Sequence, residues 1–312
     1  MNCCVELNIT PTNLDITSDI HFKNKKWYLH LKGNKARLTS EMVHKAELKD
    51  PFDKKHEQEL NQLIGHVRNL ICFAYGIDVA WGYNSCTVDS LSVTFPSIHQ
   101  QNATESSSYA FSPESINLAR MYMESIEESR QENLNILLNY WRRAYELDQL
   151  SYDAESFLNY FKVLECLSEL GKGTEQHRAM LKRFSIKASK SKHKYGFVLR
   201  PSLKRFTESQ VYLATAILAG AGYDSRVARP NLIYILKVIQ QRNSWNVGHK
   251  IFRHNSYDTY DNIGQHSSEF SHVMIENIFL ERIAKYYILR YAEPGNYMLD
   301  NSSGLPVAIK RA

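Results

Sequence analysis

Leu232-Ile233-Tyr234-Ile235-Leu236-Lys237-Val238-Ile239 leads, two residues later, into Arg242-Asn243-Ser244-Trp245-Asn246-Val247-Gly248-His249. The first run reads as an apolar helical segment and the second as the place where that helix ends, so the C-terminal part of the chain is expected to be helical. An arginine followed at once by a polar side chain, with a histidine seven positions on, is a compact set for phosphate binding and proton transfer. The guanidinium presents five donors in a fixed fork that suits phosphate oxygens. The imidazole titrates near neutrality and can take or give a proton. A phosphodiester suits that pair. A plainer reading stands beside it: Arg242 caps a helix C-terminus, where the helix dipole favours a cation, and His249 lies in the loop beyond.

Working outward, further helices surround this run. Ser112-Pro113-Glu114 announces one, with a capping serine, a proline in the first turn and an acid near the N-terminal dipole. Its apolar stripe, Ile116, Ala119, Met123, Ile126, Leu134, Leu137, Leu138, Trp141 and Tyr145, extends past thirty residues if unbroken. A second helix covers Asp153 to Leu170 and stops at Gly171. Thr207 with Gln210 forms a capping-box pattern ahead of Val211 to Leu218, and Pro230 opens the segment that reaches Arg242. Ser268 to Tyr291 reads as a long amphipathic helix with Phe270, Met274, Ile278, Ala284, Tyr287, Ile288 and Tyr291 on one side. The stretch after Pro294 reads as irregular.

The first hundred residues follow a different period. Val5, Leu7 and Ile9 share a face, as do Trp27, Leu29 and Leu31, with turn signals at Pro11-Thr12-Asn13 and Gly33-Asn34. Asp53 to Tyr75 switches to helix, and Val79 to Phe95 returns to strand. Gln100 to Ser108 is polar and reads as structureless. The expected architecture is α+β: a β-rich N-terminal domain (1–99), a linker (100–111), a helical bundle (112–295) and a tail (296–312).

Composition narrows the class. The apolar share of 43% supplies a sizeable core, and no apolar run reaches the length of a membrane span. Met1-Asn2-Cys3-Cys4-Val5-Glu6 lacks the basic region and apolar core of a secretory signal, and the five cysteines are irregularly spaced. Reduced thiols and a cytoplasmic location are therefore expected. No zinc-type spacing is visible around His254, His266 and His272, so neither a metal nor a cofactor is expected. Gly171-Lys172-Gly173-Thr174 and Gly220-Ala221-Gly222-Tyr223 both follow helices, not strands, and read as helix termini rather than nucleotide loops.

The net charge of +5 hides a segregation. From Glu114 to Glu169 there are eleven acids against five bases. From Lys172 to Arg205 there are eleven bases, including Lys182, Arg183, Lys187, Lys190, Lys192 and Lys194, against the single acid Glu175. Such density attracts a phosphate backbone without regard to sequence. It also fits a solvated surface segment with no partner. Trp245 has two readings as well, a base-stacking platform or a core aromatic. Glu165, on an apolar helix face with Leu164 and Leu167, reads either as a partner for Arg242 or as a surface acid.

The Arg242-Asn243-…-His249 pattern between helices resembles the HEPN superfamily, whose signature is an Arg, a polar residue and a His four to six intervening residues after the Arg. Ser156-Phe157-Leu158-Asn159-Tyr160-Phe161-Lys162-Val163-Leu164-Glu165 is similar to the helix that opens the bundle in ApeA-like and MauJ-like HEPN proteins. The resemblance covers roughly residues 113 to 295. It implies a metal-independent endoribonuclease that works as a homodimer, with both Arg/His sets facing one RNA cleft, in a toxin or antiviral-defence role. His249 would serve as general base on a ribose 2′-hydroxyl or as general acid, Arg242 would neutralise phosphoryl charge, and Asn243 would orient one of them. The alternative is a catalytically silent HEPN-type module that binds RNA, a nucleotide or a protein, with an N-terminal sensor of a phage or host ligand. HEPN toxins silenced by nucleotidylation carry a Tyr two residues after the His. Ile251 stands there, so that regulation is not expected.

Overall fold

The computed structural model describes residues 2–10, 14–24, 27–33, 35–41, 62, 65–66, 68–70, 72–73, 80–88, 91–94, 107–109, 128–150, 152–187, 195–227, 229–244, 263–300 and 307–310. Most residues before 130, Lys187 and 263–276 are described by backbone alone. The chain divides into two compact units, Met1–Asn135 and Ile136–Ala312. The described chain is mostly helical.

Within the first unit, strands β1 (Asn2–Thr10), β2 (Leu14–Asn24), β3 (Trp27–Gly33), β4 (Lys35–Glu41), β5 (Ala80–Val88), β6 (Leu91–Thr94) and β7 (Ser107–Tyr109) pair in the order β6-β5-β1-β4-β3-β2-β7. The turn signals at Pro11-Thr12-Asn13 and Asn34 lie outside the described residues. The described residues among 62–73 are helical, with Asn69, Leu70, Cys72 and Phe73 buried. Ser107–Tyr109 departs from the structureless reading of the linker, because it pairs in parallel with Leu14–Ile16 of β2. A sheet edge recruits backbone N–H and C=O groups whatever the side chains are, so a polar serine run carries no warning of it.

The second unit holds most of α1 (Glu128–Gln149), then α2 (Asp153–Gly171), α3 (Glu175–Phe184), α4 (Glu208–Gly220), α5 (Arg229–Ser244) and α6 (Ile263–Ala292). Residues 112–127, expected to begin α1, lie outside the described residues. α2 is central. Phe157, Tyr160, Phe161, Leu164, Leu167, Ser168 and Gly171 recur at three- and four-residue steps and are all buried. This stripe packs on α4 and α6. Trp141 of α1 meets Tyr160 edge-on at 6.2 Å, and the Ser156 hydroxyl donates to the Ala144 carbonyl at 2.9 Å. α4 begins with the expected capping box, Thr207 and Gln210 each bonding the other's backbone N–H.

At the α2–α4 crossing two glycines meet. A Cβ on Gly171 would lie 2.0 Å from the Ala216 carbonyl oxygen, and one on Gly220 would lie 1.9 Å from that of Leu167. Gly171 therefore does more than end a helix: it lets two backbones touch.

The helical part is not purely helical. β8 (Ser185–Lys187) pairs with β9 (Phe197–Leu199) inside the basic stretch. The stretch after Pro294, expected to be irregular, forms an antiparallel pair, β10 (Tyr297–Asp300) with β11 (Val307–Lys310). Strands of three or four residues are too short to show a period of two, and their pairing is decided by packing against α3, α4 and α6. Of the apolar stripe expected on α6, Ala284, Tyr287, Ile288 and Tyr291 are buried within the chain, whereas Ile278 is exposed. That part of the stripe serves the bundle's own core and is not free for a subunit contact. Among the described residues no helix is long and apolar enough to cross a membrane.

Candidate functional site

Arg242 lies in the last turn of α5, where exposed carbonyls give the helix end a partial negative charge. α5 is fixed from behind by Leu232, Ile235, Leu236, Val238 and Ile239, all buried. Its last turn therefore has a defined place beside α2. Along α2, Phe161 and Glu165 are one turn apart and share a face. Arg242 meets both. Its guanidinium carbon stands 5.4 Å from the centre of the Phe161 ring, and its Nη2 lies 3.5 Å from Glu165 Oε1. Its Nη1 donates to Asn243 Oδ1 at 3.2 Å. Nε is shut off from solvent and has no acceptor among the described residues.

The sequence left Glu165 open between partner and surface acid; the geometry makes it the partner. Glu165 also accepts from Lys162 Nζ at 2.7 Å, and this carboxylate raises the Lys162 pKa. Both members of the Arg242–Glu165 pair are about one-third exposed, at 34% and 30%. Solvent screening at that exposure holds the pair to about 1 kcal/mol or less of stability, so its main effect is positional. Burial, then the charge of Glu165, push the neighbouring Cys166 thiol above its ordinary range. A thiol shifted that way is a weaker nucleophile at neutral pH.

Among the described residues two of the five guanidinium donors are engaged and Nε is enclosed, so an N–H on each Nη has no partner there and can meet an incoming oxyanion. The arrangement is an anchored cation at a helix end with an exposed amide, Asn243, beside it. His249 and Trp245 lie outside the described residues, so the proton-transfer half of the predicted set is not placed.

Of the predicted phosphate-contacting residues, Lys182 and Arg183 are exposed in the last turn of α3. Arg183 also donates to the Ser225 carbonyl at 3.4 Å. Lys187 sits in β8 with its side chain outside the described residues, as are Lys190, Lys192 and Lys194 entirely. Lys172, Arg178, Arg200, Lys204 and Arg205 are exposed as well, so the described bases of this stretch all face solvent. Among the described residues no group of three or more His, Cys, Asp and Glu side chains could hold a metal ion.

No family model, curated protein or solved structure matches the chain.

Phe161 had no role in the sequence reading, although its spacing from Glu165 puts both on one face of α2. The buried Arg290 was also missed. It sits in Tyr286-Tyr287-Ile288-Leu289-Arg290-Tyr291, a helix end with apolar residues all round. That pattern is the available signal, because no side of such a helix is free to solvate a charge.

Proposed function

We propose that the chain is a metal-independent endoribonuclease of HEPN type, active as a homodimer. The observation that carries the reading is the anchoring of Arg242. Phe161 and Glu165 hold its guanidinium at the end of α5 while, among the described residues, an N–H on each Nη stays unengaged. A cation positioned in advance stabilises charge that develops on phosphoryl oxygens better than one that must reorganise. His249, seven residues on, moves the proton of the ribose 2′-hydroxyl or of the leaving 5′-oxygen. Attack by the 2′-oxygen forms a 2′,3′-cyclic phosphate and breaks the P–O5′ bond, and the 5′-oxygen takes up a proton. The exposed bases between Lys172 and Arg205 attract the RNA backbone. The strand-bearing N-terminal part acts as a sensor domain, and the protein works in the cytoplasm in toxin or antiviral defence.

The Glu165 pair favours a second reading, because it already balances the Arg242 charge. In that reading Arg242 ties α2 to α5 in a silent module that binds RNA or a protein. Labelled RNA incubated with the full chain in EDTA separates the two. Wild type is expected to yield fragments ending in cyclic phosphate, and Arg242→Ala and His249→Ala each to lose about 10² to 10⁴ in rate with an unchanged circular dichroism spectrum. Absence of cleavage by wild type, or full activity in either variant, overturns the nuclease assignment.

A further inference from the structure

Among the described residues Arg290 is a cation buried without a counter-ion. It is 8% exposed, near the end of α6. Its guanidinium carbon lies 3.6 Å from the centre of the Tyr223 ring. Nη1 donates to the Tyr297 carbonyl at 3.3 Å and Nη2 to the Gly222 carbonyl at 3.5 Å, while Nε has no acceptor among the described residues. Nor does any described carboxylate lie within ion-pair distance of it. Long bonds to two neutral carbonyls and an aromatic face do not neutralise a buried charge, which is costly when left unpaired.

The same arginine lines a cavity of about 550 Å³ between the α4–α5 turn, the start of α5 and the turn that leads to β10. That volume suits a small organic molecule. Arg226 and Asn231 line it too, and the Tyr223 and Tyr286 hydroxyls meet 2.6 Å apart on its wall. The acid on the wall is Asp224, whose Oδ1 is held by the Arg226 backbone N–H at 2.5 Å. Two guanidinium groups against one carboxylate leave the wall net positive. Gly222 (φ 74°) and Gly295 (φ 90°) turn the backbone on either side.

We propose that this cavity is a binding site for a small phosphate monoester, its phosphate seated against Arg226 and Arg290. Forked guanidinium groups match tetrahedral oxyanions through paired charge-assisted hydrogen bonds. A monoester carries close to two negative charges at neutral pH, enough to answer both arginines. The site is independent of the nuclease reading. Asn231 and Arg242 stand eleven residues apart on α5, roughly 16 Å along the axis at ~1.5 Å per residue.

The test is calorimetric titration of the full chain at fixed ionic strength with adenosine 5′-monophosphate, inorganic phosphate, citrate and adenosine. Saturable binding of the monophosphate and of phosphate is expected, with none of adenosine. Arg226→Ala, which alters an exposed side chain, is expected to weaken the monophosphate at least tenfold, the loss typical of a charged hydrogen bond. Arg290→Lys, which keeps the charge but loses the fork, is expected to do the same. Arg143→Ala and Lys237→Ala, which alter exposed side chains away from the cavity, are expected to bind as wild type does. No saturable binding by wild type, tighter binding of citrate than of either phosphate, or full affinity in Arg226→Ala would each overturn the proposal. Loss of binding in Arg242→Ala with retention in Arg226→Ala would assign the phosphate to the other arginine and also overturn it.

Discussion

Replacing Gly171 or Gly220 by alanine sets two effects of opposite sign against each other. Helix propensity alone favours alanine by about 0.5–1 kcal/mol. The crossing of α2 and α4 opposes it. A Cβ on Gly171 would stand 2.0 Å from the Ala216 oxygen and 2.4 Å from the Gly220 nitrogen, whereas ordinary contact starts near 3.4 Å. The difference of 1.4 Å must come from backbone, since no side chain is there to rotate away. Overfilling a packed interface costs about 1–3 kcal/mol even where side chains can adjust. A clash between main chains belongs at the upper end of that range, so a net loss of about 2 kcal/mol is expected for each variant. For a domain of this size that lowers Tm by roughly 4–8 °C. Thermal melting followed by circular dichroism, with urea midpoints alongside, measures it. Gly173→Asn is the control. Gly173 has φ 74°, and a Cβ there would meet nothing within 4 Å. Asparagine tolerates that backbone, so little change is expected. A Tm equal to or above wild type in Gly171→Ala and Gly220→Ala would show that α2 and α4 do not cross at these residues.

Other expectations concern charge and assembly. His177 is 1% exposed, takes the Gly173 N–H on Nδ1 at 3.1 Å and lies 3.3 Å through Nε2 from the Tyr212 carbonyl, so the neutral ring carries its proton on Nε2. Burial holds its pKa below the ordinary value, against the smaller opposing effect of the Tyr212 bond. Its contribution to stability is thus complete above about pH 6.5 and is lost as pH falls through the folded value. Urea midpoints of wild type and His177→Gln should converge as the medium is acidified, and a constant gap from about pH 7.5 to about pH 5 would refute this. Replacing Lys182, Arg183, Arg200 and Arg205 with Gln should flatten the salt dependence of RNA binding by about 3 log units per log salt, from about 0.7 per contact; an unchanged slope removes the basic stretch from RNA binding. Light scattering at micromolar concentration should give the mass of a dimer, and a strictly monomeric mass with cleavage intact would refute the paired-cleft arrangement.

Much of the helical frame was legible because its signals are local. The bounds of α2, the capping box of α4 and the apolar run of α5 depend on residues within a turn or two of one another. Glu165 was legible as a candidate for the same reason, although the face it occupies is the one it shares with Phe161 a turn away and not that of the buried Leu164 and Leu167. What decided its role was not local: only the docking of α5 brings Arg242 to it. The pairings β8–β9, β10–β11 and β2–β7 escaped because each forms through backbone groups of chain too short to carry a pattern. Gly171 was legible as a stop but not as a contact, because the atom it makes room for is a carbonyl of another helix. Arg290 carried a local signal in the apolar residues all round it, but the cavity it lines did not, because the α4–α5 turn and the turn before β10 are brought to it by the fold.

Glu165 and Arg242 are 77 residues apart in the chain. During synthesis α2, with Lys162 within its own helix as the acid's companion, emerges before α5, which carries the guanidinium. The anchor therefore needs both ends of that span, and any fragment that ends before residue 229 lacks it altogether.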